Sequence, residues 1–262
     1  MSRLRWFFAS PLRLGLTLAG ILLTAFLVSE TALDRWPAIV EASRSGTLAR
    51  QPEGILRDFR IAIVHCLLIG YLPAAFLAVV LRGRETVRAL QGALDCTPQE
   101  CETLANSIRL SPGGLTAAGL IGLALGIGTP FLTPPVPQDL WNPATWHAEV
   151  AWHRVLGPLA MVWSAMLVYA IVVVSRRMSS LALDLKSIDL FDLEPLLPFT
   201  QQGLVNALLL MGGVAIAGLM VLTESGFGLL GLLMGTATFT VAGFVAALPM
   251  RGVHRRITQA KA

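Results

Sequence analysis

Residues 61–81 read Ile61-Ala-Ile-Val-His-Cys-Leu-Leu-Ile-Gly-Tyr-Leu-Pro-Ala-Ala-Phe-Leu-Ala-Val-Val-Leu81, a run of 21 residues without Asp, Glu, Lys or Arg. A helix of roughly 20 apolar residues crosses a ~30 Å hydrocarbon layer, and lipid admits only segments that satisfy their own backbone hydrogen bonds. The rest of the chain repeats the pattern. Leu14–Ser29, Leu110–Thr133, Val155–Ser175, Gly203–Thr223 and Ser225–Met250 also carry no charged side chain. The reading is an all-α polytopic membrane protein, a six-transmembrane-helix bundle with short amphipathic loop helices. Its spans are expected near 14–33, 60–81, 113–133, 154–175, 203–223 and 226–250, in one transmembrane domain over residues 1–262.

Composition agrees with that solvent. The chain is 55% hydrophobic and 14% charged, with a mean hydropathy of +0.68, whereas a soluble domain carries about 25% charged residues. The net charge of +4 is spread over loop ends and makes no compact basic face, so nucleic acid is not an expected partner. The lipid bilayer is, together with a second copy of the chain or a partner membrane protein.

Charge bias orients the bundle. With six spans, the side holding both tails carries Arg3, Arg5, Arg13, Arg82, Arg84, Arg88, Arg109, Arg176, Arg177, Lys186, Arg251, Arg255, Arg256 and Lys261. The other side carries only Arg35, Arg44, Arg50, Arg57, Arg60 and Arg154. The positive-inside rule then places both termini in the cytoplasm of a bacterial-type plasma membrane. The first span reads as a retained helix rather than a cleaved leader, because Glu30 occupies the −3 position of the best cleavage site, after Ala32.

Loop segments have local signatures. Thr97-Pro98-Gln99-Glu100 is a capping box with Pro in the first turn, predicting a helix from Pro98 to about Arg109. Cys96 and Cys101 fall beside it, on the cytoplasmic side, and are expected as thiols. Leu181, Leu185, Ile188 and Asp192 fall on one face of a further expected helix. Asp184, Asp189, Asp192 and Glu194 make that loop acidic, a candidate partner-docking surface, and Pro195 and Pro198 end it. Trp141, Trp146 and Trp152 read as interfacial anchors.

Inside the spans the signal is small residues. Gly114, Ala118, Gly122 and Gly126 recur every four residues, and Gly231 and Gly235 repeat the spacing near the C-terminus. Such ridges let helix backbones approach where lipid supplies no hydrophobic drive, so these are the helix-packing candidates, with spans three, five and six as the expected tight centre. Gly126-Ile127-Gly128-Thr129-Pro130 is a candidate helix break, because Pro removes a backbone hydrogen bond and glycine loosens the turn. With Asn206, it supplies the candidate translocation residues Gly126, Gly128, Thr129 and Pro130. His65, Glu149 and His153 are the one constellation near the outer face with metal-ligand or proton-relay chemistry.

Absences narrow the function. A transmembrane multi-haem wire needs paired histidines, and only His65 is embedded. No span carries a Lys for a retinal Schiff base or a midplane acid for carboxylate-driven pumping. The chain has no GxSxG, HExxH or phosphate-binding loop. No catalytic residue and no cofactor are therefore expected. The functional expectation is a non-enzymatic transport, channel or permeation component. The alternatives are a structural or regulatory subunit acting through a partner, and a metal- or haem-binding membrane protein.

Overall fold

The computed structural model describes residues 10–32, 37, 40, 55–94, 96–128, 148–186, 194–220 and 228–261. It is built of helices: α1 (Pro11–Ala32), α2 (Ile55–Ala89), α3 (Pro98–Asn106), α4 (Pro112–Gly128), α5 (Ala148–Leu181), α6 (Leu197–Gly218), α7 (Gly228–Ala247) and α8 (Met250–Lys261). Among the described residues the nearest thing to a strand is one bridge, Leu94 to Leu185.

Among the described residues, four helical segments are long and apolar enough to cross a membrane: Pro11–Ala32, Phe59–Ala89, Val150–Asp184 and Leu197–Gly218. Gly235–Ala247 and Met250–Thr258 would make a fifth if taken as one span, but they meet at a 51° bend. The described part of α4 is apolar and 17 residues long, about 26 Å at 1.5 Å per residue. Among the described residues, membrane-length apolar helices thus number four, or five with the bent pair taken as one, and the six expected from the sequence are seen in part.

The chain forms two compact units. One comprises Met1–Ala74, Ala117–Met166 and Gly213–Met234, the other Ala75–Thr116, Leu167–Gly212 and Gly235–Ala262. In the first, α1 and α2 cross at small residues. A Cβ on Gly70 would come within 2.7 Å of Ala19 Cβ and 2.8 Å of the Gly15 carbonyl oxygen. Gly15 and Ala19 on one helix, and Gly70 and Ala74 on the other, are each four apart, the small-xxx-small device. Also in this unit, α4 lies against α5: a Cβ on Gly122 would run into the Met161 carbonyl and Val162 Cα, and one on Gly126 into Pro158. The ridge of α4 thus meets α5, whereas spans three, five and six were the expected centre. Pro158 lies inside α5, and proline in a membrane helix is tolerated where neighbouring groups re-satisfy the backbone.

In the second unit the helix ends are capped by side chains. Thr97 accepts from the Glu100 amide while the Glu100 carboxylate accepts from the Thr97 amide, completing the capping box of α3. This helix ends at Asn106 with Ser107 as its cap, three residues short of the expected Arg109. Its open carbonyl end faces cations: Arg84 donates to the Ile108 carbonyl at 3.5 Å and Arg177 to the Ser107 hydroxyl at 3.0 Å, which suits the negative end of a helix dipole. Cys96 and Cys101 form a disulfide rather than the expected pair of thiols. The turn into α3 brings their Cα atoms to 5.8 Å, inside the usual range for such a bond. The described start of the helix expected through Leu181–Asp192 is not α-helical beyond Leu181. Helix α5 ends at Leu181, a single 3-10 turn covers Ala182–Asp184, and Leu185 is extended to pair with Leu94. Residues 187–193, including Ile188, Asp189 and Asp192, lie outside the described residues.

Candidate functional site

Among the described residues, buried polar side chains meet at two places, one in each unit. In the first unit His65 of α2 and His153 of α5 meet with ring centroids 4.7 Å apart, edge to face. His65 is buried, and its Nδ1 lies 2.7 Å from the Ile61 carbonyl one turn earlier. A carbonyl only accepts, so Nδ1 carries the proton and the lone pair is on Nε2. That Nε2 faces the space beside Gly157, where a Cβ would stand 3.4 Å from it and 3.9 Å from His153. The neighbouring turn is ordered by Phe26, whose ring packs on Phe59 at 5.2 Å and on Trp152 at 5.6 Å. Trp152 donates to the Ser29 hydroxyl at 3.2 Å. Its indole therefore has a partner inside the protein.

Of the sequence-derived metal set, the structure brings together the two imidazoles. The backbone of Glu149 is in α5, but its side chain lies outside the described residues. Among the described residues no group of three or more His, Cys, Asp or Glu side chains is arranged to hold a metal. Glu30, in the last turn of α1, is fully buried.

The second unit holds a chain of four uncharged polar side chains. Thr86 Oγ1 donates to Gln202 Oε1 at 3.0 Å, Gln202 Nε2 to Asn206 Oδ1 at 2.8 Å, and Asn206 Nδ2 to Ser175 Oγ at 3.1 Å. All four residues are buried. Three helices are stitched in this way: α2 through Thr86, α5 through Ser175, α6 through Gln202 and Asn206. Buried amides are costly without partners, so a chain in which each supplies the next is the low-energy arrangement. Asn206 was a sequence candidate; Gln202, Ser175 and Thr86 were not. The available clue was that Gln202 precedes Asn206 by one helical turn on the same face. A cavity of about 160 Å³ reaches Thr86 and Gln202 and is also lined by Arg82, Glu85 and Gln201.

The remaining candidates are scattered. Gly114 sits where the Tyr169 hydroxyl fills the space a side chain would need. Ala118, Gly122 and Gly126 are buried on α4, while Gly128 at its end and Gly235 on α7 have open space around them. Gly231 is in α7, but its surroundings lie outside the described residues, as do Thr129 and Pro130. Of the acidic loop, Asp184 and Glu194 are exposed, and Asp189 and Asp192 lie outside the described residues.

At the start of the second unit's loop, Arg88 makes a two-pronged pair with Glu102, both bonds 2.8 Å. Asn106 adds a third donor at 3.0 Å. Hydrogen bonding to Arg88 pulls the Glu102 carboxyl down to about 2 from an ordinary value of 4.5.

Compared with known protein families, with curated proteins and with solved structures, the chain matches none.

Proposed function

We propose that this protein is a non-enzymatic subunit of a membrane assembly, acting structurally or as a regulator by binding a second polypeptide within the bilayer. The observation that supports this most is the use of its buried polar groups. Thr86, Gln202, Asn206 and Ser175 are spent on one another across three helices, an arrangement suited to holding a bundle together rather than to meeting a solute. Gly122 and Gly126 are likewise occupied by the backbone of α5. Large apolar side chains on α4, among them Leu120 and Ile121, remain 61% and 60% exposed, a surface for lipid or a partner helix. With six spans, the charge bias of the loops sets both termini in the cytoplasm of a bacterial-type plasma membrane. Crosslinking in the membrane followed by mass measurement tests the reading: a species larger than the 28.1 kDa chain supports it, and the monomer alone refutes it.

One observation favours a second reading, a transport or permeation component. The cavity beside Arg82, Glu85 and Gln201 ends on Thr86 and Gln202, so the polar chain leads from it to Asn206 and Ser175. In proteoliposomes this reading requires solute flux that falls on Asn206→Leu or Pro130→Ala substitution; flux equal to that of empty liposomes removes it.

A further inference from the structure

Most arginines of the second unit have an acceptor. Arg82 pairs with Glu85 at 3.0 Å and Arg88 with Glu102 at 2.8 Å. Arg84, Arg177 and Arg256 donate to Ile108 O, Ser107 Oγ and Leu185 O. Arg176, Arg251 and Arg255 behave differently. All three line one cavity of about 400 Å³, together with Val172, Ser179, Phe244 and Leu248. Among the described residues no carboxylate is in that lining, and none of the three is paired with one.

The pocket is built from α5, the end of α7 and α8. Helix α8 leaves α7 at the 51° bend, and Gly252 lets it lie directly on α5, since a Cβ there would collide with the Ser179 carbonyl and touch Ala182. Arg251 and Arg255, one turn apart on α8, are thereby set beside Arg176 of α5. The Arg251 guanidinium also lies 5.7 Å from the centre of the Phe244 ring, a cation–π contact. Val172 is one turn from Arg176 on α5. The result has two characters: three cations, and an apolar wall of Val172, Phe244 and Leu248.

Three like charges in one concavity repel one another and concentrate a positive field there, which an anion relieves. Guanidinium groups suit phosphate because their planar fork matches its oxygens in pairs. A free phosphate would make no use of the apolar wall, whereas a phospholipid would lay an acyl chain along it. We propose that this cavity binds the headgroup phosphate of an anionic phospholipid through Arg176, Arg251 and Arg255. Basic pockets between membrane helices are a known mode of such recognition. This assignment needs residence in a membrane but is independent of whether the protein has a polypeptide partner.

The test is native mass spectrometry of the full chain released from phosphatidylcholine vesicles doped with phosphatidylglycerol. The wild type keeps phosphatidylglycerol in preference to phosphatidylcholine. Each single substitution, Arg176→Gln, Arg251→Gln or Arg255→Gln, weakens retention about fivefold, and the triple variant on the order of a hundredfold. The triple Lys variant keeps most of the binding, and Arg82→Gln leaves it unchanged. If the triple Gln variant does not fold, the three single variants decide. Equal retention of phosphatidylglycerol by the wild type and the Gln variants overturns the proposal. So does displacement of the lipid by excess inorganic phosphate, which would assign the pocket to a small anion instead.

Discussion

The Asn206 side-chain amide donates to the Ser175 hydroxyl at 3.1 Å, joining α6 to α5 across 31 residues of sequence. Asn206 simultaneously accepts from Gln202 at 2.8 Å, so it is the middle link of the buried polar chain.

Substituting Asn206 by Ala therefore leaves Gln202 and Ser175 without their partner. Hydrogen bonds of this kind in membrane bundles are worth about 0.6 kcal/mol on average and about 1.7 at most. Stranding a buried amide costs about 1–3 kcal/mol. Asn206→Ala should lower unfolding stability in detergent by about 1–3 kcal/mol, and Thr86→Ala, at the chain's end, by less. Equal effects would argue against a linked chain.

Close helix crossings set the second expectation. Gly70 meets Ala19 and the Gly15 carbonyl, and Gly122 meets the backbone of α5, so neither position has room for a side chain. Gly70→Val and Gly122→Val should each cost about 1–3 kcal/mol or more by overpacking. Gly235, with nothing within 4 Å of its would-be Cβ, should accept Ala with a gain of up to about 1 kcal/mol from helix propensity. Thermal melting of the purified variants separates the two classes.

The Arg88–Glu102 pair makes the loop helix pH-sensitive. With Glu102 held down to about 2 in the folded chain against an ordinary 4.5, its carboxylate favours folding. That contribution is full above pH 4.5 and disappears as pH falls towards 2. The pair is solvent-exposed, so salt weakens it. A carboxyl-carbon NMR titration of Glu102 should show the depressed midpoint in the wild type. In Arg88→Gln the midpoint should return towards 4.5; an unmoved midpoint would dismiss Arg88 as its cause.

Thiol labelling checks the loop disulfide. Before reduction the native chain should take up no maleimide at Cys96 or Cys101, and two labels after reduction, because these cysteines are joined. Cys66 is buried and should react only on unfolding. Label on Cys96 without a reductant would contradict the bond.

The helical class was legible because charge-free runs are a statement about solvent, and the α3 capping box because it is a contact between residues three apart. What escaped depended on pairing across the fold. Gln202 reads as an ordinary polar residue until Thr86, 116 residues away, is brought to it. Gly15 and Gly70 have the same four-residue partners as the ridge on α4, but neither signals which helix it will meet. Leu185 fits a helical face by spacing, yet its pairing with Leu94 overrides that local preference. The His65–His153 encounter was anticipated from depth along two helices. The burial of Glu30 was not, since a charge at a helix end ordinarily reads as wet.

Crosslinking in native membranes, with the mass of the purified product then determined, tests the subunit reading most directly. The account predicts a defined species larger than the 28.1 kDa chain, containing a second copy or one partner polypeptide in fixed ratio. Recovery of the 28.1 kDa chain alone, from membranes in which a known complex crosslinks fully, would contradict it.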